Sequence, residues 1–206
     1  MPLYTWSQDL PTYARRVAEL HPGDVAIVVS DDSGPGTIAD PALMQHVADL
    51  GAKGVIVAGY IHIDEPGRTR TRTIDAVLDD IEAWHRLYGV TRLFVDEWPM
   101  HWGMRHLGAV WGATRGYAGK GTTDRPILVV NPGQPLGIVK PPDGVLVVAY
   151  EGVQPGDRVP QPWEAAIVYS CPTPDAMRSR LATNGWSWSY VTSDGSDGNP
   201  FDGIEG

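Results

Sequence analysis

The stretch Arg92-Leu93-Phe94-Val95-Asp96-Glu97-Trp98 decides how the rest of the sequence is interpreted. Its apolar run is typical of a buried strand, and it stops abruptly at two adjacent carboxylates followed by an indole. In a β/α fold, a buried strand with acids at its carboxyl end is a common way to build an active site. We therefore expect the surrounding sequence to form the scaffold that positions Asp96 and Glu97.

Strand and helix patterns alternate along the chain. The predicted strands are 2–6, 25–29, 55–60, 92–96, 126–131, 145–150, 165–169 and 186–191, and the predicted helices are 12–20, 40–50, 73–88, 104–111 and 174–184. This alternation indicates parallel strands joined by right-handed crossovers. Eight such strands predict a closed α/β barrel, a compact (β/α)8 TIM-type single domain over residues 1–192. Residues 193–206 are predicted to form an acidic, glycine-rich tail.

One link does not fit a regular barrel. The segment from Asn131 to Gly144 contains too many prolines for a normal crossover helix. An open, doubly wound sheet is therefore the alternative fold.

Composition excludes several classes of function. A net charge of −9 and the lack of a basic stripe argue against a nucleic-acid partner. The one basic cluster, Arg68 to Arg72, either contacts an anionic ligand or is a solvated loop. No apolar run approaches the roughly 18 residues that cross a bilayer, so no membrane partner is expected. Cys171 is the single cysteine, which leaves no internal disulfide.

Polar residues follow the apolar runs at several predicted strand ends, which a barrel would bring to one face. They are Asp31, Asp32, Tyr60, Asp96, Glu97, Asn131, Glu151 and Tyr169. Two carboxylates from different strands can flank a glycosidic bond, one protonated and one ionised. The candidate pair is Glu151 with one acid of Asp96 and Glu97, which should point to opposite sides of their strand. The structural alternative is a helix cap or a surface ion pair.

The remaining candidates would bind substrate. Tyr60, Trp98 and Trp102 offer aromatic faces on which sugar rings pack, although core packing is the alternative for any tryptophan. Asp31, Asp32, Asn131 and Tyr169 could hydrogen-bond sugar hydroxyls, or act only in turns and caps. The pairs His62 with Asp64 and His101 with His106 lack the spacing of metal ligands, so neither a metal nor another cofactor is predicted.

Seven motifs occur in an order that resembles one family. They are Pro2-Leu3-Tyr4 with Trp6, Ser33-Gly34-Pro35-Gly36, Gly59-Tyr60, Ile81-Glu82-Ala83-Trp84, Phe94-Val95-Asp96-Glu97, Asn131-Pro132-Gly133 and Tyr150-Glu151. The chain resembles the spherulation-specific family (spherulin 4) over nearly its whole length. The resemblance implies a (β/α) barrel and an endo-acting, retaining glycoside hydrolase of α-linked, galactosamine-containing polysaccharides. Asp96, Glu97 and Glu151 match the acidic positions of the family. Among them we assign Asp96 as the nucleophile, Glu151 as the general acid/base and Glu97 as a supporting residue, and Tyr4 of the first motif is a further candidate for substrate binding.

The sequence departs from the family pattern in two loops. Ser30-Asp31-Asp32 replaces the usual Asn-Pro, and Ile61 to Pro66 replaces Thr-x-Tyr-x-x-Arg, so the polymer that is cut can differ. Family members are commonly secreted, yet the first strand leaves no room for a signal peptide. The protein is expected to be cytoplasmic, or extracellular by another route such as carriage on a phage particle.

Two other functions are compatible with the same sequence. One is a catalytically silent carbohydrate-binding or virion adhesion module on the same barrel. The other is a barrel enzyme of a different kind that uses the arginine loop on an anionic substrate. The expected partner of the preferred hydrolase is a bacterial or fungal surface polysaccharide.

Overall fold

The computed structural model of the protein describes residues 18, 20–22, 24–28, 34–63, 72–118, 128–137 and 140–193. The predicted strand at 2–6, most of the predicted helix at 12–20 and the tail after Ser193 lie outside these residues. So do three predicted substrate-binding residues, Tyr4, Asp31 and Asp32.

Seven parallel strands form one sheet within the described part of the chain, and their order in space follows their order in sequence. They are β1 (Val25–Val28), β2 (Ile56–His62), β3 (Leu93–Asp96), β4 (Leu128–Asn131), β5 (Val145–Gly152), β6 (Glu164–Val168) and β7 (Trp188–Val191). Each coincides with a predicted strand. The prediction was reliable because parallel strands buried on both faces have nearly continuous apolar sequences.

The prediction of a closed (β/α)8 barrel is wrong, although the α/β class is correct. The described strands form a seven-stranded half-barrel sheet, in which β1 pairs with β2 and β7 pairs with β6. The alternative, a doubly wound sheet, does not fit either, because the strand order never reverses.

Proline explains why the regular strand-helix repeat fails. The described parts of the β4–β5 and β5–β6 connections contain no helix, whereas the other four connections each contain one. Four prolines lie between β4 and β5, and three lie between β5 and β6. Each proline lacks the N–H group that an interior helical residue donates. The half-barrel therefore has four described helices rather than eight.

Those helices are α1 (Pro41–Ala52), α2 (Ile74–Tyr88), α3 (Met104–Ala118) and α4 (Pro174–Thr183). The Asp40 carboxylate caps α1 by accepting a hydrogen bond of 2.8 Å from the Ala42 N–H. Helix α2 ends, as predicted, at the left-handed Gly89. Helix α3 extends seven residues beyond its predicted end at Trp111. None of the described helices is long and apolar enough to cross a membrane.

The two faces of the sheet have different roles. The helices pack on the outer face, where strand residues such as Val28, Val95 and Val130 join Leu50, Ile81 and Leu107 in one core. The inner face carries a separate apolar cluster: Ile27, Ala58, Tyr60, Phe94, Val148, Ala165 and Ile167. An apolar cavity of about 110 Å³ lies against this inner face. Polar side chains begin where the strands end, so they form the rim of the inner face.

Candidate active site

A set of polar side chains lies together at the carboxyl ends of four strands, β2, β3, β4 and β5. Strand register places His62 beside Asp96, and Asp96 beside Asn131. Alternation from Tyr60 and Phe94 directs these three side chains to the inner face. Glu151 of β5 joins them through a hydrogen bond to Asn131. The site is therefore assembled from four consecutive strands of the sheet.

The side-chain amide of Asn131 bridges the two candidate catalytic carboxylates. Its Nδ2 donates to Asp96 Oδ1 and to Glu151 Oε2, each at 2.7 Å. The two accepting oxygens are therefore at most about 5.4 Å apart, twice the length of one hydrogen bond. Asn131 is 5% exposed, so this bridge is protected from bulk water.

The backbone fixes the orientation of that amide. Asn131 Oδ1 accepts a hydrogen bond of 3.0 Å from the N–H of Gly133. Because a backbone N–H can only donate, the atom facing Gly133 must be the oxygen, and Nδ2 must face the carboxylates. This turn is part of the Asn131-Pro132-Gly133 sequence, and Gly133 adopts a left-handed φ of 65°. The turn therefore directs both N–H groups of the Asn131 side-chain amide toward Asp96 and Glu151.

Asp96 is surrounded by hydrogen-bond donors. Its Oδ2 accepts from the Tyr60 hydroxyl at 2.6 Å, and its Oδ1 accepts from Asn131 and from the Glu97 N–H at 3.0 Å. An ionised carboxylate is an acceptor only, so three donors suit the charged form of Asp96. Tyr60 is itself 6% exposed. The structure therefore places Tyr60 as a support for Asp96.

Glu151 occupies a different electrostatic environment. Burial raises the pKa of its carboxyl group, the hydrogen bond from Asn131 opposes this, and the charges of Asp96 and Glu97 raise the pKa further. The net effect is a pKa above the usual range of a glutamate. Two neighbouring carboxyl groups with diverging environments are the arrangement from which an acid and a nucleophile can be made.

A β-bulge directs Glu151 into the site. The pairing of β5 with β6 shifts between Val148 and Tyr150, so that Ala149 is an extra residue. Val148 belongs to the inner apolar cluster, and regular alternation from it would point Glu151 to the outer face. After the bulge, Glu151 is paired with Ile167, an inner-face residue. The extra residue therefore restores Glu151 to the side that holds Asp96.

Glu97 lies at the exit of β3. It is exposed and has a left-handed φ of 55°, which is uncommon for a residue other than glycine. The next residue, Trp98, donates its N–H to the Asn131 carbonyl at 2.9 Å. The chain thus turns sharply after Asp96, leaving Glu97 at the rim as a nearby negative charge.

The two predicted stacking tryptophans lie in the core. Trp98 and Trp102 are 2% and 7% exposed and meet edge to face, with ring centroids 5.3 Å apart. Trp98 Nε1 donates to the Trp102 carbonyl at 3.3 Å. Both belong to the outer core cluster, so core packing accounts for these rings. Tyr169 is half-buried after β6 and donates its backbone N–H to Gly152.

From the sequence, His62 is only a weak candidate for a metal ligand. The signal that could have placed it in the site is its position two residues after Tyr60, on the same face of β2. Among the described residues, no three His, Cys, Asp or Glu side chains cluster as metal ligands. Arg72, at the end of the predicted basic cluster, forms an ion pair of 2.7 Å with Asp80 of α2. That pair gives Arg72 a structural partner.

Comparisons with known proteins give a family but no individual relative. No match was found among curated proteins, and none was found among solved structures. The family model described as spherulation-specific family 4 matches residues 1–205. Because the match spans essentially the whole chain, the protein belongs to spherulation-specific family 4 (Spherulin4).

Proposed function

We propose that the protein is a retaining glycoside hydrolase that cleaves within a polysaccharide chain, with Asp96 and Glu151 as its catalytic pair. The observation that carries the proposal is the Asn131 bridge, which holds the two carboxylate oxygens at most about 5.4 Å apart. Retaining enzymes have carboxyl groups about 5–5.5 Å apart, whereas inverting enzymes leave roughly 6.5–9.5 Å for a water.

The electrostatics support a division of roles. Asp96, with three donors, suits the ionised nucleophile, and Glu151, with a raised pKa, suits the protonated acid. Asp96 would attack the anomeric carbon while the glycosidic C–O bond breaks and Glu151 gives its proton to the leaving oxygen. The glycosyl ester on Asp96 would then be hydrolysed by a water whose proton returns to Glu151. Both carboxyl groups end the cycle as they began it.

The hydrogen bonds around Asp96 also favour one of its oxygens for attack. Oδ1 accepts two hydrogen bonds, from Asn131 and from the Glu97 N–H. Oδ2 accepts one described hydrogen bond, from Tyr60, which leaves it a lone pair. Oδ2 is therefore assigned as the attacking oxygen, and Tyr60 as the group that orients it.

The proposed substrate class is an α-linked, galactosamine-containing polysaccharide. The family resemblance suggests it, and the charge of the protein is compatible with it. A deacetylated galactosamine carries a positive amine, and both the net charge of −9 and the exposed Glu97 would attract it. The buried rings of Trp98 and Trp102 give no support to a binding module that relies on them for stacking.

The test is hydrolysis of an α-linked galactosamine polymer, followed by the release of new reducing ends. Asp96→Asn and Glu151→Gln are each expected to lower turnover by on the order of 10³-fold or more without loss of the fold. Glu82→Gln, which neutralises an exposed carboxylate on α2, is the matched control and should retain activity.

Two further outcomes separate the alternatives. Product NMR in the first minutes should show the α anomer, since a double displacement retains configuration. A β anomer would contradict the nucleophilic role of Asp96, and full turnover in both variants would contradict the site itself. Binding of the polymer without any new reducing ends would favour the catalytically silent module.

A further inference from the structure

His62 places an imidazole beside the proposed nucleophile. It ends β2 on the inner face, in register with Asp96 of β3. Its ring lies nearly parallel to that of Tyr60, at 22° and with centroids 6.1 Å apart. His62 is half-exposed, whereas its Nδ1 is buried and has no hydrogen-bond partner in the described chain.

The backbone at His62 is held firmly, independently of the side chain. Arg72 Nη1 donates to the His62 carbonyl at 3.2 Å, and the same guanidinium pairs with Asp80 at 2.7 Å and bonds to the Ala76 carbonyl. The Arg72 N–H also donates to the Ile63 carbonyl. The strand end at His62 is thus held by hydrogen bonds to the backbone carbonyls of His62 and Ile63.

Stability does not account for an imidazole at this position. A buried polar atom without a partner destabilises a fold, and native proteins contain few of them. A phenyl ring would keep the contact with Tyr60 and would remove the unpaired nitrogen. At this position, in register with Asp96, the imidazole is best explained by a contact that its other nitrogen, Nε2, can make with a ligand.

We propose that His62 binds a hydroxyl or amino group of the sugar ring that Asp96 attacks. This inference rests on the proposed hydrolase function. Since Nδ1 is the buried ring nitrogen, the half-exposed ring offers Nε2 to the ligand. A sugar hydroxyl can both donate and accept, so it can pair with Nε2 in either tautomer of a neutral imidazole. His62 is thus a substrate-binding residue of the subsite at Asp96.

The test compares three substitutions in the full-length protein, with an α-linked galactosamine oligomer as the probe. His62→Phe should lower kcat/KM by about 10- to 100-fold, because a polar contact to the reacting ring is lost. His62→Gln, whose amide reaches the place of Nε2, should retain more activity than His62→Asn, whose amide reaches the place of Nδ1. His62→Phe should also raise the Tm of the free protein by about 2–4 °C, because it removes a buried unpaired atom.

His106→Phe is the matched control. His106 also has a buried Nδ1 without a partner in the described chain, but it lies on α3 and stacks on Trp102 at 5.1 Å. This control should gain stability and keep wild-type kcat/KM. If the wild type cleaves the oligomer and His62→Phe cleaves it equally well, the His62 inference is overturned alone. A wild type that neither cleaves nor binds the oligomer would overturn the proposed function, and this inference with it.

Discussion

The carboxyl groups of Asp96 and Glu151 share one hydrogen-bond donor, the amide of Asn131, which lies 2.7 Å from each of them. Burial, together with the charges of Asp96 and Glu97, raises the pKa of Glu151. Asp96 accepts hydrogen bonds from three donors, whereas the raised pKa of Glu151 favours its protonated form.

Asn131→Asp should cost more activity than its small change in shape suggests. The new aspartate keeps the acceptor for the Gly133 N–H but replaces the donor of both hydrogen bonds with a third carboxyl group. We expect kcat to fall by on the order of 100-fold, since the pair loses its spacing. The measurement is steady-state hydrolysis together with circular dichroism. Wild-type kcat in a folded variant would mean that the bridge does not position the pair.

Glu97→Gln should move the alkaline limb of the pH–activity profile to lower pH. The charge of Glu97 raises the pKa of Glu151, so removing it lowers that pKa. Glu151 would then lose its catalytic proton at a lower pH. The measurement is kcat/KM against pH at low ionic strength. Added salt should shrink the difference between the variant and the wild type, because Glu97 is exposed.

Glu82→Gln removes an equivalent charge from the exposed surface of α2 and is the control for that experiment. Its alkaline limb should coincide with that of the wild type. An equal shift in both variants would assign the effect to overall charge and not to the position of Glu97.

The apolar sequence of each strand predicted the framework well. The segments that became β1 to β7 were recognisable because burial on both faces demands β-branched and other apolar residues at nearly every position. Closure of the sheet is not a local property. It depends on how many strands and covering helices the whole chain supplies, and the described parts of the two proline-rich connections between β4 and β6 supply no helix.

The candidate site was only partly predictable. Strand ends alone indicated Asp96, Asn131 and Glu151 as neighbours, and the structure does bring these three together. The direction of Glu151 depends on the bulge at Ala149, which is a property of pairing between two strands and leaves no clear mark in one sequence. The burial of Trp98 and Trp102 was also not predictable, because composition does not distinguish a packed ring from an exposed one.

Glu151→Gln should stabilise the protein at neutral pH while removing its turnover. The pKa of Glu151 is raised in the folded state. Its protonated carboxyl therefore contributes fully to the free energy of unfolding below the unfolded pKa of about 4.3, and this contribution is lost as pH rises through the folded pKa. A glutamine does not ionise, so it avoids this loss. The Tm of the variant should exceed that of the wild type more at pH 7 than at pH 5. A gain of the same size at both pH values would show that ionisation of Glu151 is not its cause.

Gly59→Ala should be strongly destabilising, because β2 and α2 touch at this residue. A Cβ at position 59 would lie 2.5 Å from Cδ2 and 2.7 Å from Cε2 of Trp84. Trp84 is fully buried, and its Nε1 donates to the Tyr60 carbonyl at 2.9 Å, so the ring has little freedom to move. Overpacking of this kind costs about 1–3 kcal/mol or more. For a chain of this size, each 1 kcal/mol lowers Tm by about 2–4 °C.

Gly112→Ala is the matched control for that substitution. Gly112 lies within α3, and no atom of the described residues, apart from the neighbouring backbone of its own helix, is within 4 Å of the position that its Cβ would take. Alanine should therefore raise stability by up to about 1 kcal/mol through its higher helix propensity.

Activity adds a second readout, since displacing Trp84 would shift Tyr60 and its hydrogen bond of 2.6 Å to Asp96. Gly59→Ala should lower kcat as well as Tm, whereas an unchanged Tm would mean that α2 does not pack this closely against β2.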